Sequence, residues 1–136
     1  MIPTPQQKLK LSSRPENLIL LEKLVEDVCD IYNIGEEKFG NILISLTEAV
    51  NNAMVHGNKS NPGKNIDICL KSNIQEIKFI VCDQGEGFDF TCIPDPTAPE
   101  NLEKENGRGV FLMKQLADKV EFAENGRIVE LTFQLN

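Results

Sequence analysis

The chain has 136 residues, 40% of them hydrophobic and 26% charged, which fits one domain of ordinary size and excludes wholesale disorder. Its 14 basic and 21 acidic residues leave a formal net charge of −7, a field that repels polyanions and argues against nucleic acid as a partner. An anionic small ligand would need help from a metal ion or from backbone dipoles.

Read in chain order, the opening MIPTPQQKLK lacks the apolar core of a signal peptide, and no apolar run anywhere approaches the roughly 20 residues of a membrane helix. A cytoplasmic protein that avoids the membrane is the expectation. Residues 8–11 alternate polar and apolar, as a short edge strand would. Ser13-Arg14-Pro15-Glu16 has the form of a capping box, with proline suited to the first turn of a helix running to about Asn33. Leu18, Leu21, Val25, Val28, Cys29 and Tyr32 share one face of that helix, and Leu20, Leu24 and Ile31 form a second apolar stripe beside it. A stripe so wide is covered either by a deep core or by a partner. Glu36 or Glu37 opens a second helix reaching about Val55, with Phe39, Ile42, Leu43, Leu46, Ala49, Val50 and Ala53 as its core face and Gly57 ending it. Residues 65–72 and 76–83 read as strands joined at Asn73. Residues 84–108 form a long segment of little periodicity, which in a compact domain is usually functional. A short helix follows over 110–117, and residues 119–123 and 127–135 flank Asn125-Gly126, a hairpin turn signal. Helices mixed with antiparallel hairpins predict an α+β fold, one sheet with its helices on one face. Cys29, Cys69, Cys82 and Cys92 form no CxxC pair, and three lie in apolar periodic segments, so reduced thiols are expected.

The second helix has an informative far side. Glu48, Asn52 and His56 fall at i, i+4 and i+8, turned away from the core stripe. A solvated face would favour Lys and Glu as better helix formers than Asn and His. An Asn and a Glu one turn apart can offer a neutral oxygen to a hard cation and a carboxylate to a proton, although an ordinary polar face accounts for them too. His56, beside the helix-ending glycine, reads as structural. Asp83 shares strand parity with Ile77, Phe79 and Val81, which aims its carboxylate at the buried side. There it needs donors, either backbone N–H groups or the amino group of a ligand. Gly85-Glu86-Gly87 and Gly107-Arg108-Gly109 each allow close backbone approach to a phosphate, though a lone GxG is a weak signal. Two familiar phosphate motifs fail. The stretch nearest a Walker A loop has Asn65 where Ser or Thr belongs, and position 90 is Phe90 where a dinucleotide fingerprint needs glycine.

Four features in order change the reading: E-x-x-x-N-A-x-x-H-G over residues 48–57, D-x-G-x-G over 83–87, a long loop, and G-x-G at 107–109. This set resembles the N, G1 and G2 boxes of the GHKL (histidine-kinase-like) ATPase superfamily. It is most similar to the single-domain anti-sigma-factor serine kinases, and the likeness covers almost the whole chain, including the Asp95-Pro96-Thr97-Ala98-Pro99-Glu100-Asn101 stretch. The resemblance implies a single domain over residues 1–136 with the two-layer α/β sandwich of Bergerat type, its sheet mixed but mostly antiparallel. It implies ATP and Mg²⁺ as cofactors, with an ATP lid at about 88–108. Glu48 would then be the general base and Asn52 the Mg²⁺ ligand. Asp83 would accept from the adenine amino group. Gly85 and Gly87 would admit the nucleotide, and Gly107, Arg108 and Gly109 would close over the phosphates.

The implied activity is a protein serine/threonine kinase acting on a STAS-domain anti-sigma antagonist. The implied partners also include a sigma factor held by a homodimer of the kinase. Two other readings compete: a non-catalytic binder that uses ATP only to set its conformation, and the ATP-binding half of a histidine-kinase pathway. The last lacks its acceptor, since the only histidine is His56, inside the N box itself.

Overall fold

In the computed structural model, which describes residues 8–85 and 105–135, the apolar positions of three strands alternate in step. β2 (Asn65–Ser72) buries Ile66, Ile68 and Leu70, and β3 (Glu76–Cys82) buries Ile77, Phe79 and Val81. β5 (Ile128–Gln134) buries Val129, Leu131 and Phe133. Register joins these positions into one face: Ile68 lies opposite Val81, Phe79 opposite both Leu70 and Leu131, and Val81 opposite Val129. Since a strand shows alternate residues to alternate faces, this register gives the sheet one buried side. The rings of Phe79 and Phe133 meet edge to face there, centroids 6.2 Å apart. Each fully buried side chain of this size contributes about 1.5–3 kcal/mol.

β1 (Lys8–Ser12) and β4 (Lys119–Ala123) complete a five-stranded sheet in the order β1-β2-β3-β5-β4, with every described pairing antiparallel. Both outer strands are short and charged. Lys8 and Lys10 are exposed on β1, and Lys119 pairs with Glu121 along β4 at 3.1 Å. Between β2 and β3, Asn73 Oδ1 accepts from the backbone N–H groups of Gln75 and Glu76, which closes the bend expected at that residue.

Three helices form the second layer. α2 (Glu36–Asn52) packs on β3 and β5 and touches both α1 (Leu18–Tyr32) and α3 (Glu105–Leu116). Its buried face, Ile42, Leu46, Ala49 and Val50, follows the predicted stripe. The architecture is thus the expected α+β two-layer sandwich.

Local details depart from expectation where distant partners intervene. Ser13 caps no helix. It is buried, donates to the Lys64 carbonyl at 2.9 Å and accepts from Asn58 at 2.9 Å. With the box broken, Pro15–Asn17 forms a 3₁₀ turn, and α1 begins only at Leu18. The second stripe of α1 is not deep core, because Leu20 is 48% exposed and its neighbour Ile19 70%. Helix α3 starts at Glu105, earlier than predicted, so the GxG lies inside the helix instead of at its mouth. The β4–β5 hairpin also has a longer loop than the two-residue turn its sequence suggests. Glu124–Gly126 form a 3₁₀ turn with positive φ at Glu124 (51°) and Gly126 (88°).

Cys29, Cys69 and Cys82 are free thiols, and Cys92 lies outside the described residues. Burial, with Asp30 adding to it, raises the Cys29 thiol to about 11, which keeps it protonated and unreactive. No described helix is long and apolar enough to cross a membrane.

Candidate functional site

The carboxyl end of α2 does not finish as an α-helix. Ala53–Gly57 form a π turn, with the Asn58 N–H bonded to the Ala53 carbonyl at 2.7 Å. Five residues are about 1.4 turns of α-helix, which would carry Gly57 to the far side of the helix from Asn52. With i→i+5 bonding the same five residues close roughly one turn. Gly57 therefore returns toward the face that carries Asn52.

This return places the Gly57 backbone directly over Asp83. A Cβ added to Gly57 would lie 2.3 Å from Asp83 Oδ2, and one added to Gly85 would lie 1.7 Å from the Gly57 carbonyl oxygen. Both glycines are therefore required by contacts within the protein itself. Gly85→Ala is expected to destabilise the free chain by about 3 kcal/mol, lowering its melting temperature by on the order of 10 °C, because the conflicting atom is backbone. A thermal melt unchanged from wild type would refute that packing.

Asp83 follows β3 on its buried side, as parity predicted, and is half-buried. Its Oδ1 accepts the Gly85 N–H at 2.8 Å, so a backbone donor supplies part of what a buried carboxylate needs. Desolvation raises its pKa above the ordinary carboxylate value, against smaller lowering effects of the Gly85 N–H, Arg127 and Lys64. A folded carboxyl with a raised pKa binds more protons than the unfolded one, so it weakens the fold as pH rises from the unfolded value toward the folded one. Above that window the cost is constant. Asp83→Asn is therefore expected to raise the melting temperature of the free chain at pH 7, with the gain disappearing in acid below about 3.9. A melting temperature lowered at pH 7 would contradict it.

Asn52 is 5% exposed, and its Nδ2 has no hydrogen-bond partner among the described residues. Such an orphan is uncommon in a native interior. Helix α3 brings Gly109 against it: a Cβ there would lie 2.9 Å from Glu48 Oε2, and 3.2 and 3.4 Å from Nδ2 and Oδ1 of Asn52. The glycine allows the first turns of α3 to sit directly on the polar side of α2. Gly107 and Arg108 lie in the first turn of that helix, while Gly87 and most of the expected lid lie outside the described residues. Beneath these groups is a cleft lined by Asn52, Ala53, Asp83, Met113 and Arg127 among others. Glu48, Asn52, Asp83, Gly85 and Gly109 are thus brought to one end of the helical layer.

Two residues of this region were not singled out by sequence reasoning. Arg127 lines the cleft, and its carbonyl accepts the Asp83 N–H at 3.0 Å. Its only sequence signal was its place just after the hairpin glycine. Asn58 is fully buried, and its Oδ1 accepts the Gln84 N–H at 2.7 Å. As one more Asn in a turn-rich stretch it carried no distinguishing signal.

The family model described as histidine kinase-like ATPase domain matches residues 11–133. Among similar proteins, the serine-protein kinase RsbW of Bacillus pumilus is 27% identical, over 95% of this chain and 85% of its own length. That of Oceanobacillus iheyensis is 28% identical over 84% of this chain and 76% of its own. That of Bacillus subtilis is 25% identical over 95% and 85%.

Proposed function

The chain belongs to the histidine kinase-like ATPase domain family, and from that premise we propose that it is a cytoplasmic, Mg-ATP-dependent protein serine/threonine kinase of the anti-sigma regulatory type. It phosphorylates a STAS-domain antagonist and, as a homodimer, sequesters a sigma factor. The observation that carries this reading is the meeting of Glu48 and Asn52 with Gly109 at one end of a cleft that holds Asp83. The serine-protein kinase names of relatives that match along most of the chain support the choice of acceptor.

In this reading Asp83 accepts from the adenine amino group through Oδ2, since Oδ1 is already engaged by the Gly85 N–H. The half-buried carboxylate makes that hydrogen bond where water competes poorly. The residues fit a Mg²⁺–triphosphate. Asn52 carries a neutral amide oxygen of the kind a hard cation takes, its buried and unpartnered Nδ2 is a donor that a phosphate oxygen would satisfy, and the missing Cβ of Gly109 leaves room beside it. Held by Asn52, the ion would supply the positive charge that offsets the repulsion between a triphosphate and a chain with net charge −7.

Glu48 takes the proton of the acceptor hydroxyl as that oxygen forms its bond to the γ-phosphorus. The bond from γ-phosphorus to the bridging oxygen breaks, and the electron pair leaves with ADP. Gly107, Arg108 and Gly109, at the start of α3, close over the phosphates. Helix N-termini attract anions, and Gly107 and Arg108 lie in the first turn of α3, with Gly109 one residue further in.

The test mixes the purified chain with γ-labelled ATP, Mg²⁺ and soluble extract of its source cells. One small protein labelled on serine or threonine is the expected result. No labelled protein, with nucleotide binding still measurable, would overturn the kinase reading.

A further inference from the structure

The best-connected buried polar side chain near the site is Asn58. Its Nδ2 donates to Ser13 Oγ at 2.9 Å and to the Asn65 carbonyl at 3.0 Å, while its Oδ1 accepts the Gln84 N–H at 2.7 Å. The three partners belong to separate segments: the residue after β1, the first residue of β2, and the residue after Asp83. A carbonyl acceptor on one side and an N–H donor on the other fix which way the amide points. The backbone around it is strained as well. Lys59 (φ 54°) and Ser60 (φ 57°) are consecutive non-glycine residues in the left-handed region, a conformation that persists only where surrounding contacts over-determine it. Here those contacts include the Asn58 N–H to the Ala53 carbonyl and the Ser60 N–H to the Met54 carbonyl, both 2.7 Å.

We infer that Asn58 is a positioning residue of the nucleotide site, which holds the Asp83–Gly85 turn against the Gly57 backbone and so sets where the Asp83 carboxylate presents its second oxygen. The inference rests on the reading that Asp83 accepts from an adenine amino group. The Gln84 N–H lies between the two residues that touch Gly57, and Asn58 follows Gly57 directly. One amide thus locks both sides of the Gly57–Asp83 contact. Among the described residues the turn's other hydrogen bonds are the Gly85 N–H on Asp83 Oδ1, within the turn itself, the Asp83 N–H on the Arg127 carbonyl and the Asn65 N–H on Gln84 Oε1. None of these joins the turn to the end of α2.

A merely structural role would lower stability without changing which base is preferred. The experiment therefore compares dissociation constants for ATP and for ITP, which carries a carbonyl where adenine has its amino group. A site built to bond an amino group rejects the analogue that lacks it, so the wild-type chain is expected to prefer ATP by about 100-fold or more. In Asn58→Ala that preference is expected to shrink at least about tenfold, through weaker ATP binding with ITP little changed. Ser13→Ala removes a partner on the side of Asn58 away from the turn; it is expected to lower the melting temperature and keep the preference. Should the alanine chain be unfolded at the assay temperature, Asn58→Ser, whose hydroxyl is too short to reach the Gln84 N–H, is measured in its place.

A wild-type preference that survives intact in the Asn58 variant overturns the inference alone. Equal wild-type affinity for ATP and ITP overturns the reading of Asp83, and the inference with it. A shrunken preference in Ser13→Ala as large as that in Asn58→Ala also overturns it, since general loosening would then explain both.

Discussion

Asn52→Ala removes Mg-ATP binding, by about 100-fold or more in dissociation constant, while the free chain melts at or above the wild-type temperature. These two halves rest on one fact: the Asn52 amide is buried and its Nδ2 unpartnered among the described residues. In the free chain such a group carries an unrecovered desolvation cost of about 1–3 kcal/mol. Its loss relieves that cost, offset in part by the small cavity left behind. In the proposed loaded chain the same amide would bond to a charged group, worth about 1.5–3 kcal/mol, and would also orient the phosphates, so its removal is expected to cost more than one contact. Titration calorimetry with Mg-ATP and a thermal melt of the free protein check both halves. Binding at wild-type strength removes Asn52 from the cation site. Binding lost together with a large fall in melting temperature makes Asn52 a structural residue.

Glu48→Ala has the opposite signature: nucleotide binds as before, and phosphoryl transfer to the protein acceptor falls by about 10²- to 10⁴-fold, the range for loss of a general base. Glu48 sits one helical turn before Asn52, and its carboxylate lies against the position where Gly109 lacks a side chain. In the proposed reading this sets the carboxylate beside the phosphates. Single-turnover transfer from pre-bound labelled ATP isolates the chemical step from binding. Undiminished transfer would remove Glu48 from the mechanism. A parallel loss of nucleotide affinity would move it from proton transfer to binding.

Much of this site was legible because it depends on local periodicity. Parity along β3 aimed Asp83 inward from Ile77, Phe79 and Val81 alone, and a one-turn spacing set Glu48 beside Asn52. What stayed hidden depends on contacts between distant segments. Ser13 and Glu16 spelled a capping box, but the Ser13 hydroxyl is taken by Lys64 and Asn58, 51 and 45 residues away, and no local rule anticipates such competition. The π turn was hidden for a similar reason. Nothing in Ala53-Met54-Val55-His56 opposes an α-helix before the glycine that ends it, and the wider turn goes with the seating of Gly57 on Asp83, a tertiary contact. Gly85 illustrates a different shortfall. Sequence reasoning assigned its missing Cβ to a ligand, whereas in the fold a neighbouring carbonyl occupies that space first.

The two ends of the sheet constrain how copies of this chain can assemble. An open strand edge is a template on which another chain can add, and natural sheets discourage it with short, lysine-bearing outer strands. β1, with Lys8 and Lys10 exposed, and β4, with Lys119 and Glu121 along it, both fit that description. Joining two β1 edges would set lysines of both copies close together across the seam. A continuous ten-stranded sheet across a two-fold axis, or a filament grown strand by strand, is thereby disfavoured.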